Sequence, residues 1–242
     1  MSESMNPMPA PQELAGFFAA FAEHGAEWGP RLAAGALVTA QLSLLGFMLA
    51  VLGGSALAAA LGSRAAVLRL PAQALVQAMR SVPLLALLLL LYFGLPPLGV
   101  TMSSFVTGVL GLGLYGAASI AVIMQGGLAA VPRGQREAAL AAGLTPAAAL
   151  RHVLLPQALR VMTAPLLNAY VALLKDSSLC ALIASNELML AARGMASEYF
   201  LPMQVFLLAG LFYFVIAFPL SLLARWLDRR LGNGRRGVGS PA

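Results

Sequence analysis

The stretch Ser81-Val-Pro-Leu-Leu-Ala-Leu-Leu-Leu-Leu-Leu-Tyr-Phe-Gly-Leu-Pro-Pro-Leu-Gly99 opens a segment with no charged residue between Arg80 and Arg133. A membrane-crossing helix needs about 20 predominantly apolar residues, so this segment is too long for one. The break falls at Gly94-Leu-Pro-Pro-Leu-Gly99, where Pro96 and Pro97 supply turn chemistry and cannot continue a helix. The pattern predicts two spans, near 81–95 and 101–128, joined by a tight turn. The first extends back through residues 71–80, which are apolar with Gln73, Gln77 and Arg80 interspersed.

The rest of the chain repeats the pattern. Leu32 to Ser63 is free of charge and gives a first span near 34–60, and Phe200 to Ala224 gives a last one. Residues 164–187 form the remaining candidate, less pure because they hold Asn168, Lys175 and Asp176. Of the 242 residues 60% are hydrophobic and 10% charged, against roughly 25% charged in soluble domains. Only a bilayer accommodates that much apolar surface, and the expected fold is an all-α bundle of five transmembrane helices. The glycines at 108, 111, 113 and 116 fit close helix packing in the third span.

Orientation follows from the basic residues, which concentrate on the cytoplasmic side of membrane proteins. Arg225, Arg229, Arg230, Arg235 and Arg236 crowd the C-terminus and place it inside. Five spans then put the N-terminus outside. Arg64, Arg69, Arg80, Arg133, Arg136, Arg151 and Arg160 also fall inside, leaving only Arg31 and Arg193 outside. The basic excess is thus explained by topology, and nucleic-acid binding is excluded from the reading. Residues 1–31 carry Glu3, Glu13, Glu23 and Glu27 with no basic stretch before an apolar core, unlike a cleaved signal. The single cysteine, Cys180, rules out an intrachain disulfide. The expected organisation is an outer segment 1–31, a membrane domain 32–228 and a cytoplasmic tail 229–242.

The longest inside loop spans residues 132–163. Helix formers dominate from Gln135 to Ala142, and Gly143 follows as a helix-ending residue. Thr145 suits an N-cap and Pro146 the first helical position. A second short helix is expected from Pro146 to about Leu154, stopped by Pro156. Helix, glycine turn, helix makes a rigid knob able to pass motion to a soluble partner.

This loop resembles the EAA loop of ABC importer permeases: Glu137-Ala138-Ala139, then Gly143, then Val153, Leu155 and Pro156, with Val153 in place of the usual Ile. Arg80-Ser-Val-Pro-Leu-Leu85, Tyr92-Phe-Gly-Leu-Pro96, Pro132-Arg-Gly-Gln135 and Lys175-Asp-Ser-Ser-Leu179 are similar to the polar-amino-acid uptake branch, as are Asn168 and Glu187-Leu188. The likeness covers roughly residues 30–228. Val122 and Gln125 depart from it, standing where that branch has Glu and Arg, and Ser81-Val82 replaces a Gly-Thr pair. The resemblance implies a type I ABC importer permease in the bacterial inner membrane, with a periplasmic N-terminal segment. It implies partners: a dimer of ATPase subunits, a periplasmic solute-binding protein, and a second permease copy or a paralogous one. Glu137, Ala138, Ala139, Gly143, Thr145, Pro146, Val153, Leu155 and Pro156 would meet the ATPase. The solute would be a polar amino acid, with an opine or another amino acid derivative as the alternative.

Charge at mid-bilayer costs on the order of 2.5–3.5 kcal/mol on insertion scales, so Asn168, Lys175, Asp176 and Ser178 need a role in translocation or in packing. Asn168 and Lys175 are seven apart and share a helix face. The simplest reading has Lys175 and Asp176 hydrogen-bonding neighbouring helices. Other classes fit less well. His24 and His152 are the only histidines, and no Gly-x-Ser-x-Gly, His-Glu-x-x-His or Walker-type loop occurs. No catalytic residue, metal or cofactor is therefore expected, and ATP hydrolysis must lie on a separate chain. A secondary transporter or channel lacks its usual inverted repeats and broken helices here.

Overall fold

A computed structural model describes residues 11–232. Its described residues form helices joined by short turns: α1 (Pro11–Leu61), α2 (Ala66–Ser81), α3 (Leu84–Gly94), α4 (Ser104–Ala129), α5 (Arg133–Ala141), α6 (Pro146–Ala149), α7 (Leu155–Asp176), α8 (Leu188–Tyr199) and α9 (Pro202–Gly232). Four helical stretches are long and apolar enough to cross a membrane, and the α2–α3 pair makes five if counted as one span.

Several boundaries differ from the sequence reading. The first helix starts at Pro11, well before the apolar run near 34, and absorbs Pro30 without ending. The second span is not a straight extension through residues 71–80: α2 and α3 meet at 101°. Pro83 is the cause. It pushes Val82 to φ −90, ψ 130, extended backbone that ends α2, and itself caps α3 at φ −60, ψ 137. A broken helix is therefore present after all. The turn after α3 is as read: a 3₁₀ turn at Pro96–Leu98 closed by Gly99 at φ 83. The span near 164–187 ends sooner, because α7 passes at Asp176 into a 3₁₀ segment, Ser177–Ile183, that Ala184 terminates at φ 56. Glu187 then begins α8, a helix the apolar pattern did not indicate, and Phe200 at φ 55 lies between α8 and α9.

α1 and α4 form the most extensive helix pair, with α7 closing against both. Gly116 sits where the three meet. A Cβ there would lie 2.8 Å from the Ala50 Cβ and 2.9 Å from Leu173 Cδ1. The other glycines of α4 singled out above, at 108, 111 and 113, are buried as well. Leu42, Leu88, Leu112 and Ile120 fill the core around this seam and are fully buried.

A second core joins α1, α8 and α9 through Trp28, Leu32, Leu188, Met195 and Val205. Its polar centre is the buried Glu187 carboxylate. Oε1 accepts from the Leu190 N–H at 2.8 Å, and Oε2 accepts from Met189 N–H at 2.9 Å, Tyr213 O–H at 2.9 Å and Thr39 O–H at 3.3 Å. One carboxylate thus caps α8 and ties it to α1 and α9, and four donors satisfy a group that burial would otherwise penalise. At the end of the same helix Arg31 donates to Glu198 at 2.6 Å and to Glu27 at 3.3 Å. That hydrogen bond holds the exposed Glu198 carboxyl below the ordinary carboxylate range.

Two stability predictions result. Gly116→Val should lower the detergent-solubilised thermal midpoint, with overpacking costing about 1–3 kcal/mol, whereas Gly126→Ala, where nothing lies within 4 Å, should leave the midpoint level or raise it. Glu187→Ala strands four donors and should cost about 3 kcal/mol, read in the same melt. A midpoint for Gly116→Val or Glu187→Ala equal to that of the unaltered chain would contradict the packing described.

Candidate coupling knob and membrane polar face

The knob is built from α5, the turn after it, and α6. α5 begins one residue past Pro132 and ends near Ala142. The chain reverses at Gly143, whose φ of 85 is a left-handed conformation that costs a side chain about 1–2 kcal/mol. Its N–H donates to Leu140 C=O, and Leu144 N–H donates to Ala139 C=O. The Thr145 hydroxyl then accepts from Ala148 N–H at 3.3 Å, and Pro146 takes the first position of α6. Gly143, Thr145 and Pro146 therefore stand in the local geometry their residue types predict.

Ala139 of α5 and Ala149 of α6 are buried. Glu137 and Ala138 are exposed on α5, and Leu140, Leu144 and Leu150 leave apolar surface open between 37% and 44%. Arg133, Arg136 and Arg151 of the same loop are exposed too. Val153 is half-buried, while Leu155 and Pro156 remain exposed.

Pro156 does not stop the second helix, contrary to expectation. The chain passes from α6 through a wide π turn at Leu150–Leu154 directly into α7. The knob and the next membrane span are one continuous helical stretch, Pro146–Ile183.

On α7 the exposed residues Val161, Pro165, Asn168, Ala172 and Lys175 follow spacings of three and four and form one stripe. Asn168 and Lys175 do share a face, and it points out of the single chain. Among the described residues no side-chain hydrogen bond or ion pair engages Lys175 or Asp176, so they do not tie neighbouring helices of this chain together. For Lys175 the reason is its place on the outward face. Asp176, half-buried, lines a cavity of about 90 Å³ with Tyr115, Gly116 and Ser119 of α4 and Ala169, Ala172 and Leu173 of α7. Ser178 is half-buried in the 3₁₀ segment just beyond. Tyr115 and Ser119 were not anticipated. Their spacing of four put them on one face of α4, but only the packing brings that face beside Asp176. Val122 is exposed further along α4, and Gln125 donates its amide to the Ala58 carbonyl of α1.

The described residues thus combine a bundle of candidate membrane spans with an exposed knob and an outward polar stripe. The sequence of residues 50–233 matches the family described as binding-protein-dependent transport system inner membrane component. The chain belongs to this family. A probable amino-acid ABC transporter permease of Sinorhizobium fredii is 34% identical over 209 residues, covering 86% of this chain and 90% of its own length. A probable glutamine ABC transporter permease of Bacillus subtilis is 36% identical over 158 residues, covering 65% and 73%. The crystal structure of an amino acid ABC transporter with histidines superposes with a TM-score of 0.80 at 31% identity, over 85% of this chain and 96% of that one. The protein is a membrane-spanning permease subunit of an ABC importer, and ATP hydrolysis belongs to a separate ATPase subunit.

The turn geometry gives a direct test. Gly143→Val should insert normally, yet limited proteolysis of the knob in membrane vesicles should speed several-fold. Gly134→Ala, at an open site with ordinary φ, should leave the cleavage rate unchanged. Equal rates for all three chains would mean the left-handed turn does not hold the knob together.

Proposed function

We propose that this permease passes a polar amino acid across the bacterial inner membrane. A periplasmic binding protein delivers the solute, and a pair of ATPase subunits drives its passage. The second half of the pathway comes from another copy of this chain or from a paralogous permease. The N-terminus lies outside and the C-terminal arginines inside, as the distribution of basic residues requires. Of the coupling residues, Glu137, Ala138, Gly143, Thr145, Pro146 and Leu155 are exposed and form the surface that seats in the ATPase, while Pro156, the half-buried Val153 and the buried Ala139 shape the knob behind it. Asn168, Lys175, Asp176 and Ser178 serve the pathway or the face between the two permeases.

One observation carries this reading: an exposed apolar knob, shaped by a left-handed glycine, is continuous with the span that bears the polar stripe. A chain alone in a bilayer has no use for a rigid apolar protrusion in water. Lys175, facing outward with no hydrogen-bond or ion-pair partner among the described residues, is equally costly in lipid and calls for a polar cavity or a second permease. The amino acid class rests on the relatives named above, which are described as amino acid transporters.

The reading is tested with the chain reconstituted beside its ATPase and binding protein. Uptake of labelled amino acids should require ATP and the binding protein, and Gly143→Val should reduce it at least tenfold. Uptake by Gly143→Val at the full rate with normal ATPase stimulation would remove the knob from the mechanism. Lys175→Met should alter uptake with little change in the thermal midpoint, because Lys175 is exposed and makes no side-chain hydrogen bond or ion pair among the described residues. In a chain whose Cys180 is replaced, a cysteine at Glu23 should react with an impermeant reagent from outside, and one at Glu137 only after permeabilisation. The reverse pattern would invert the topology.

A further inference from the structure

The π turn at Leu150–Leu154 has a local cause. Leu155 N–H donates to Leu150 C=O, five residues back instead of four. Pro156 follows at once. In an unbroken α-helix its ring would press on the carbonyl four residues earlier, that of His152, and its missing N–H would leave that carbonyl without its donor. An extra residue in the turn moves the His152 carbonyl away from the ring. The helix therefore survives a proline that sequence rules read as a stop, by widening where the proline sits.

Side chains brace the wide turn. His152 Nδ1 donates to Ala148 C=O at 3.1 Å, and the Gln157 amide donates to Val153 C=O at 2.8 Å and to Gln135 Oε1 at 3.2 Å. The last bond reaches across to α5 and holds knob and span together on one side only. The packing on the two sides of the turn also differs. Beyond it, Ala158 and Met162 are buried with Val131 against the bundle. Before it, the exposed residues of α6 face water.

An anchored helix, a braced irregular turn and an exposed protrusion make a pivot. Wide turns inside α-helices are rare, bend the helix axis and recur at functional positions. The added residue also sets direction. Each helical residue advances the azimuth by about 100°, so one extra residue offsets the knob by about that angle from where a regular helix would hold it relative to the α7 stripe.

We infer that Pro156 is a positioning residue for energy coupling: it keeps the turn at Leu150–Leu154 wide, and that turn is the pivot through which movement of the knob reaches the α7 face carrying Asn168 and Lys175. This rests on the reading of the knob as the ATPase-docking element.

The test uses the full complex of chain, ATPase and binding protein in lipid nanodiscs, with Cys180→Ala as background. Spin labels at Ala141→Cys and Leu159→Cys flank the pivot. Trapping with ATP and vanadate should shift their distance distribution by more than its width relative to the nucleotide-free state. Adding Pro156→Ala should abolish the shift and reduce uptake at least tenfold while the ATPase still co-purifies at the same stoichiometry. ATPase stimulation by the loaded binding protein should be lost with it, a readout that a merely weaker fold would not remove selectively. An unchanged distribution on trapping in the complex with Pro156 intact overturns the inference, even if Pro156→Ala fails to fold. So does Pro156→Ala with full uptake. Failure of the ATPase to co-purify with the unaltered chain would instead overturn the docking reading, and the inference with it.

Discussion

Inside a bilayer each backbone N–H and C=O must find a partner within the protein, because hydrocarbon offers none. That constraint organises this fold, and its irregular points are where the constraint is met by other means. At Val82-Pro83 the helix gives up and turns by 101°. At Pro156 it widens and continues. After Asp176 it tightens to 3₁₀ and ends on a left-handed alanine, and the amides that open the next helix are taken by the Glu187 carboxylate. Three interruptions have three different solutions, each dictated by the residue that causes it and by what packs nearby.

Much of this was legible from residue types alone. The charge-free runs locate the membrane helices, and Gly143-Leu-Thr-Pro146 encodes its own turn, cap and helix start. The turn, cap and helix start depend on residues within four or five positions of each other, and the charge-free runs on residue type alone. What escaped depends on distance. Glu187 acquires Thr39 and Tyr213 as partners from helices far along the chain, and nothing local announces them. α8 was invisible because Leu188–Tyr199 is short and interrupted by Arg193 and Glu198, so it lacks the apolar signature of a span. Pro156 misled because the rule for proline assumes a helix of constant width. Pro83 carried a readable signal, since the residue before a proline leaves the helical region, but the apolar run on both sides outweighed it.

The surface divides by solvent. Leu52, Leu90, Phe206, Leu207 and Val215 are left bare and suit lipid. The stripe containing Asn168 and Lys175 is equally bare but unsuited to lipid, and the cavity beside it is lined by Asp176, Tyr115 and Ser119. The glycine seam explains why that cavity stays small. With no side chain at Gly116, α1, α4 and α7 close to near-contact directly behind it.

The core around Trp28 and Leu32 has a consequence for how the chain is made. Its α1 residues leave the ribosome early, while their partners on α8 and α9 come near the end. Arg31 and Glu198 are separated by 167 positions. At a synthesis rate of about 5–20 residues per second, the aromatic end of α1 waits on the order of ten seconds before the surface that will cover it exists. Over that interval Phe21, Trp28 and Leu32 have only lipid or a helper protein for shelter. Cells making this protein in excess of what such helpers can cover should therefore accumulate chains trapped with the first helix inserted and unhoused, and slowing translation between α7 and α8 should lengthen the exposure.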